Sequence, residues 1–348
     1  MIAAVYRGPR NIEVSRSWPV PPVGPGDVLV GVRYTAVCGG DLRVFKYGDA
    51  RISDGRILGH EIAGDIVEVG SSVSRLEPGQ RVAIAPNFFC GSCVFCAQGK
   101  TNHCTKFSAG LGIIADGGFA EYVLIPEVAV SSGNVVPLPD SVSYQDGALI
   151  EPLSCVLTAV TRLHPGPGDF CVVFGAGPMG LLHMKLLKLY GVDRVAVVDT
   201  HEERLRRAEV LGADIIVNSA REDVSAVVSR ETRGLGANIV VTARSSGEAQ
   251  AKALEIAGSF GRVCFFAGVP QQNQVPLNPN LIHYKSLAVV GSTRSTNWDF
   301  RKCLSFVAGQ RIVVRDLVTG AFPLVEIGEA FRRAATGDEL KVLIDPCS

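Results

Sequence analysis

Phe170-Cys171-Val172-Val173-Phe174-Gly175-Ala176-Gly177-Pro178-Met179-Gly180 is the stretch on which the reading of this chain turns. Five uncharged apolar residues have the length of a buried strand, and the glycine after them ends the run. Pro178 to Tyr190 then has helical length and composition. At the junction stands G-x-G-x-x-G, a weak pattern by itself because glycine-rich turns are common. Between a strand and a helix each glycine has a task. Gly175 makes the tight turn, Gly177 lets backbone approach a pyrophosphate, and Gly180 lets helix and strand pack closely. Pro178 and Met179 open the helix, whose free N–H groups hold phosphate oxygens. The next apolar run, Val195-Ala196-Val197-Val198, ends in Asp199, 19 residues after Gly180. A carboxylate there accepts hydrogen bonds from a ribose 2′-hydroxyl and repels a 2′-phosphate, so NAD is expected ahead of NADP. Arg204, five residues further on, keeps NADP open. The competing reading is an ordinary strand-to-helix turn, which gives no reason for an acid at that distance.

The alternation continues downstream. Glu202 to Leu211, Glu222 to Arg233 and Glu248 to Gly258 read as helices, and Asp214 to Val217, Ala237 to Thr242 and Arg262 to Phe266 as strands. Strands and helices at this spacing argue for a doubly wound parallel sheet of the Rossmann kind. The alternation stops after Ser286-Leu287-Ala288-Val289-Val290. Asp299 to Gly309 and Glu326 to Ala335 read as helices in another setting. Upstream, short runs such as Asp27 to Val32 and Gly64 to Val69 are bounded by Pro and Gly clusters, which suits strands joined by turns. The expected division is therefore 1–150, mostly β; 151–286, dinucleotide-binding; and 287–348, which ends the parallel sheet and returns to the first domain.

Composition narrows the partners. The 348 residues make roughly two domains, and 34 Lys plus Arg balance 34 Asp plus Glu. Nucleic acids and anionic membranes are held mainly by clustered Lys and Arg, so neither is expected as a partner. A charge and a turn follow Met1-Ile2-Ala3-Ala4-Val5-Tyr6 too soon for a signal segment. Phe170 to Met184 is uncharged but too short for a membrane span, and Gln271-Gln272-Asn273-Gln274 breaks the uncharged stretch Val263 to Tyr284. These features suit a soluble, cytoplasmic protein with a small-molecule partner.

Ten cysteines are many for such a chain. Cys90, Cys93, Cys96 and Cys104 give C-x₂-C-x₂-C-x₇-C, and four thiolates so close can surround one tetrahedral Zn²⁺ at about 2.3 Å each. The site is then closed, with no room for substrate, and His103 is superfluous. Coincidental thiols or disulfides are the bland alternative. A second set is dispersed: Cys38 in Val37-Cys38-Gly39-Gly40-Asp41, and His60 in Gly59-His60-Glu61-Ile62-Ala63-Gly64. Thiolate, imidazole and a carboxylate can hold a catalytic zinc with one position open, but spacing alone supports a buried Cys and a satisfied His equally well.

The sequence resembles the zinc-dependent medium-chain dehydrogenase/reductase family, and within it the polyol (sorbitol or iditol) dehydrogenases. The resemblance covers nearly the whole chain. It rests on G-H-E-x₂-G-x₅-G-x₂-V from Gly59 to Val73, the four-cysteine lobe, Gly117-Gly118-Phe119-Ala120-Glu121-Tyr122, Gly147-Ala148-Leu149-Ile150-Glu151-Pro152-Leu153-Ser154, and Gly175 to Gly180. It implies a Rossmann domain inserted in a mostly β, GroES-like catalytic domain with a structural zinc lobe, and two zinc ions per chain. Cys38 and His60 then bind the catalytic zinc. Glu151 binds it directly or through water where other alcohol dehydrogenases use a cysteine, and Glu61 is a carboxylate able to exchange onto it. Cys155 is the rival to Glu151. Tyr47, Phe119 and Arg294 fall at substrate-pocket positions, and Arg43 stands close by in sequence; core aromatics and a solvated charge are the bland readings. Ala267, Gly268, Val269, Ser292 and Thr293 match backbone beside nicotinamide, and a homo-oligomer, tetramer or dimer, is implied.

One departure bears on mechanism. The family usually has Ser or Thr two residues after the zinc cysteine and often His three further on, relaying the alcohol proton to solvent; this chain has Gly40 and Arg43. Guanidinium cannot serve as a base at neutral pH. The expected activity is NAD-dependent oxidation of a secondary alcohol of a polyol, cyclitol or sugar-like substrate to a ketone. The alternatives are an amino-alcohol dehydrogenase, acting on threonine or an aminocyclitol or amino sugar, and a catalytically impaired NAD-binding homologue.

Overall fold

A computed structural model describes every residue except Ser108, Gln271, Gln272 and Asp338. The two glutamines that interrupt the uncharged stretch before Tyr284 therefore lie outside the described residues. The chain forms two units, Cys155–Thr293 and a second made of Met1–Ser154 with Arg294–Ser348. The first break thus falls four residues later than expected, and 287–293 stays with the inserted unit.

In the inserted unit six parallel strands lie in the order Ile215–Asn218, Arg194–Asp199, Phe170–Phe174, Ala237–Thr242, Ala257–Phe265 and Ala288–Gly291. This is the doubly wound order in which the chain reverses direction at its first strand. Phe170–Phe174 pairs on both sides, and all five of its residues are buried. A strand covered on both faces and both edges has no position for a polar residue, hence the unbroken apolar run. The core is built from residues such as Val172, Phe174, Val198, Val240, Leu254 and Val263. The strand expected over Arg262–Phe266 begins earlier, at Ala257, because Ala257 already pairs with Ala237 across an irregularity in register. The expected helices are found within a few residues of their predicted limits, including Pro178–Leu189, Glu202–Val210, Val224–Glu231 and Gly247–Ile256.

The glycines of the fingerprint stand in different local environments. Gly175 has φ +109°, a conformation that side chains disfavour. A Cβ on Gly180 would stand 1.7 Å from the Gly175 carbonyl oxygen, whereas one on Gly177 would meet nothing within 4 Å. Gly177 precedes the helix without a side-chain cap, and Pro178 occupies its start. The N–H groups of the first turn are consequently left for an anion.

The other unit contains a three-stranded sheet, Asn11–Ser15, Ala3–Gly8 and Arg56–Ile57, and a seven-stranded one. The larger runs Val318–Pro323, Lys341–Asp345, Val28–Ala36, Glu61–Val69, Arg81–Ile84 and Val135–Pro137, and Tyr122–Ile125 also pairs with Val28–Ala36. The C-terminal strand joins the N-terminal segment antiparallel, Leu343 opposite Ala36 and Ile344 opposite Thr35. Two cores fill this unit, one around Val5, Phe119 and Phe331 and one around Val30, Ile62 and Val123. Helix Asn297–Ala308 starts with a reciprocal cap between Thr296 and Asp299. No helix among the described residues is long and apolar enough to cross a membrane.

The two glycine environments predict different phenotypes. Gly180→Ala should lower unfolding free energy in urea by about 3 kcal/mol or more, since main chain must move. Gly177→Ala should leave the urea midpoint unchanged and weaken NADH binding about tenfold, read by fluorescence titration.

Candidate active site

Cys38 follows strand Val28–Ala36 and caps helix Gly39–Tyr47. Its Sγ accepts the Gly40 N–H at 3.3 Å, and the Asp41 carboxylate accepts the Cys38 N–H at 3.0 Å. A thiol thus fills the position usually taken by Ser, Thr, Asn or Asp, at the positive end of the helix dipole. His60 stands just before strand Glu61–Val69, with Nδ1 3.4 Å from an oxygen of the buried Asp41. A carboxylate on one ring nitrogen fixes the ring and leaves the other nitrogen for a metal. The ligand atoms of Cys38, His60 and Glu61 all lie within 4.8 Å of one another.

Burial and charge oppose each other throughout this cluster. Burial drives His60 toward the neutral form, but Asp41 and the Cys38 sulfur outweigh it and raise the pKa well above the usual histidine value. Burial pushes the Glu61 carboxyl up to about 7, the neighbouring Glu151 carboxylate adds to the rise, and the Lys341 ammonium works against it. Lys341 is itself disfavoured by burial, and Glu61 more than restores its charge. Glu151, buried in the first turn of helix Ile150–Thr161, acts on both Glu61 and Lys341 through its charge. It lies beside the cluster, outside the group of three whose ligand atoms converge.

Cys90, Cys93, Cys96 and Cys104 form the other convergent group among the described residues. The Cys90 N–H points to the Cys104 sulfur at 3.3 Å. Backbone N–H groups of Thr105 and Cys96 pull the Cys93 thiol down to about 5, while burial pushes Cys96 up to about 12. Four thiolates together therefore need a cation among them, and S₄ geometry suits zinc. His103 is exposed and stays outside the group.

In the inserted unit a cavity of about 270 Å³ is lined by Gly175, Gly177, Asp199, His201, Arg204 and Arg244, among others. Asp199 is nearly buried, and its carboxylate accepts N–H groups of Ala176 at 2.7 Å, Thr200 at 2.7 Å and His201 at 3.1 Å. The acid is thereby locked to the turn it serves. Arg244, after strand Ala237–Thr242, and His201, two residues after Asp199, also line the cavity, and neither belongs to a sequence motif. Ala267 and Gly268 are fixed by main chain and side chain, the Ala267 N–H to Thr242 at 2.9 Å and the Ser245 hydroxyl to the Gly268 carbonyl at 2.6 Å. Val269 lines a neighbouring cavity with Arg244. Ser292 has a buried hydroxyl with no hydrogen-bond partner among the described residues, and Thr293 next to it is exposed. Met179 offers its carbonyl to His183 at 2.7 Å.

The expected substrate contacts are distributed unevenly. Phe119 has no exposed surface and packs edge-on against Phe331 at 5.6 Å. It is a core aromatic, and the substrate contact expected of it is corrected, since nothing of the ring is open to a ligand. Tyr47 is 69% exposed, with Lys46 Nζ 5.1 Å from its ring, and Arg43 on the same helix is exposed. Arg294 is half-buried with φ 55°. A Cβ on Gly40 would lie 3.6 Å from Cys38 Sγ and 3.8 Å from His60 Cε1, ordinary contacts, so this glycine leaves space beside the ligands that a side chain would fill.

Residues 24–140 match the alcohol dehydrogenase GroES-like domain, and residues 178–309 the zinc-binding dehydrogenase domain. The sorbitol dehydrogenase of Bacillus subtilis is 31% identical over 351 residues, covering 99% of this chain and 97% of its own. The chain belongs to the zinc-dependent medium-chain dehydrogenases, in the polyol branch. A D-arabitol-phosphate dehydrogenase from Enterococcus avium is 32% identical over 332 residues, 94% of this chain and 92% of its own. Among solved structures, a zinc-binding dehydrogenase from Sinorhizobium meliloti bound to NADP has a TM-score of 0.92 at 30% identity, covering 99% of each chain. An Escherichia coli dehydrogenase complexed with NADH has a TM-score of 0.90 at 27% identity, again over 99% of each. As a zinc-dependent medium-chain dehydrogenase this protein is an oxidoreductase.

Metal counting separates the two convergent groups. The purified protein should carry about two zinc ions per chain. His60→Ala should retain one and keep its melting temperature, whereas Cys96→Ser should retain one and melt earlier, because a closed thiolate site contributes folding free energy. Equal losses of stability would show that the groups do not have separate roles.

Proposed function

We propose that this protein oxidises a secondary alcohol of a polyol, cyclitol or sugar-like substrate to a ketone, passing hydride to NAD. The convergence of Cys38, His60 and Glu61 donor atoms within 4.8 Å of one another carries the reading. Cys38 and His60 hold the zinc, with Glu151 and Glu61 as the carboxylates at its side. Zinc, when bound, supplies a Lewis acid of the kind that lowers the pKa of bound water to about 7. Asp41 fixes the His60 ring so that one nitrogen is always presented. Gly175 to Gly180 receive the pyrophosphate, Asp199 the adenosine ribose, and Ala267 to Val269 with Ser292 and Thr293 the nicotinamide side. Arg204 and Arg244 stand at the ribose cavity, so some use of NADP accompanies NAD. Tyr47 and Arg294, with Arg43, are the side chains proposed to meet the substrate.

No hydroxyl stands at Gly40 and no imidazole at Arg43, so the substrate's own hydroxyls or water near Glu151 carry the alcohol proton outward. The same absence supports one second reading, a homologue that binds NAD without turnover. The family resemblance supports a cytoplasmic homo-oligomer, dimer or tetramer.

A screen of NAD⁺ and NADP⁺ reduction over polyols, cyclitols, amino sugars and threonine should find polyol-dependent NADH formation that a chelator abolishes. Tight NADH binding with no turnover on any substrate would favour the second reading, and turnover confined to threonine or amino sugars would replace the substrate class. Gly40→Ser should lower activity if the space beside the ligands is used by substrate; a rise would show instead that the missing hydroxyl limits the wild type.

A further inference from the structure

Lys341 is a charged residue buried to 3% exposure at the start of strand Lys341–Asp345, ahead of the apolar Val342, Leu343 and Ile344, and nothing in the reaction just described uses it. Its ammonium donates to one carboxylate and one carbonyl. Both Glu61 oxygens accept from it, Oε1 at 2.6 Å, and the Val37 carbonyl accepts at 3.2 Å. The same strand holds Val37 a second time, since the Val37 N–H donates to the Val342 carbonyl at 2.9 Å. Val37 immediately precedes Cys38. Lys341 therefore ties the backbone entering the proposed ligand Cys38 to the carboxylate of Glu61 beside it.

Glu61 stands at coordination range of Cys38 and His60, yet both oxygens of its carboxylate accept from the Lys341 ammonium. A carboxylate shared by two cations cannot give both its full electron density. The local charge points the same way. Cys38 as thiolate, Asp41, Glu61 and Glu151 bring four negative charges, zinc would bring two positive ones, and Lys341 is the buried cation that offsets part of the remainder. We propose that Lys341 is a positioning residue that keeps Glu61 off the metal, leaving a coordination position open for the substrate oxygen. When the ammonium is absent the carboxylate moves onto the ion and closes that position.

The inference rests on the metal site read above, and the test separates the two. The catalytic ion is exchanged for Co²⁺, whose visible absorption reports coordination number, and its release to a chelator is timed. Wild type should show the strong bands of a four-coordinate ion. Glu61→Gln should leave spectrum and release rate unchanged, because a carboxylate held off the metal is no ligand. Lys341→Met should weaken and shift the bands and slow release about fivefold or more, and Lys341→Met with Glu61→Gln should restore the wild-type spectrum. The double variant also removes both buried charges, so it tests the idea where the single variant fails to fold. An altered spectrum in Glu61→Gln, a wild-type spectrum and release rate in folded Lys341→Met, or the single variant's spectrum persisting in the double would each overturn the role of Lys341 while leaving the site intact. Wild type that takes up metal only in the four-cysteine lobe would remove the site and the inference together.

Discussion

The antiparallel pairing of Lys341–Asp345 with the end of Val28–Ala36 is the contact on which the catalytic unit depends. It joins the two ends of the chain into one sheet, leaving Cys155–Thr293 as an insertion with its own core. It also sets the chemistry. The pairing places the Lys341 side chain against Glu61, 280 residues away in sequence, and grips Val37 beside the ligand cysteine. A buried cation there is tolerated because a carboxylate and a carbonyl accept from it.

Zero net charge conceals strong local charge. Asp41, Glu61, Glu151 and Lys341 are withdrawn from water near Cys38; Asp41 raises the pKa of His60, and Lys341 opposes the rise that burial imposes on Glu61. At the other site Asp199 is held by three backbone N–H groups and needs no cationic side chain. The contrast follows from position. Asp199 sits at a turn where main-chain donors are free, whereas Glu61 opens a strand whose backbone is engaged in the sheet.

Legibility in the sequence followed distance along the chain. The fingerprint glycines were readable because their constraints are local, a left-handed φ at Gly175 and a contact between Gly180 and a carbonyl five residues away. The four-cysteine lobe was readable because its ligands fall within one short loop. Asp41 was in view, three residues after Cys38, but nothing local says that its carboxylate also turns to His60. Phe119 misled because an aromatic at a pocket position and an aromatic in a core look alike until packing decides between them.

The sequence by itself determined the doubly wound unit, the dinucleotide turn and the closed metal lobe, because steric and ligand-count constraints act between near neighbours. Only the tertiary structure decided which buried charge answers which. Neutralising a desolvated carboxylate is a requirement with many solutions, and the one adopted depends on which distant strand the sheet brings alongside. Here that strand is the last one, and it carries Lys341.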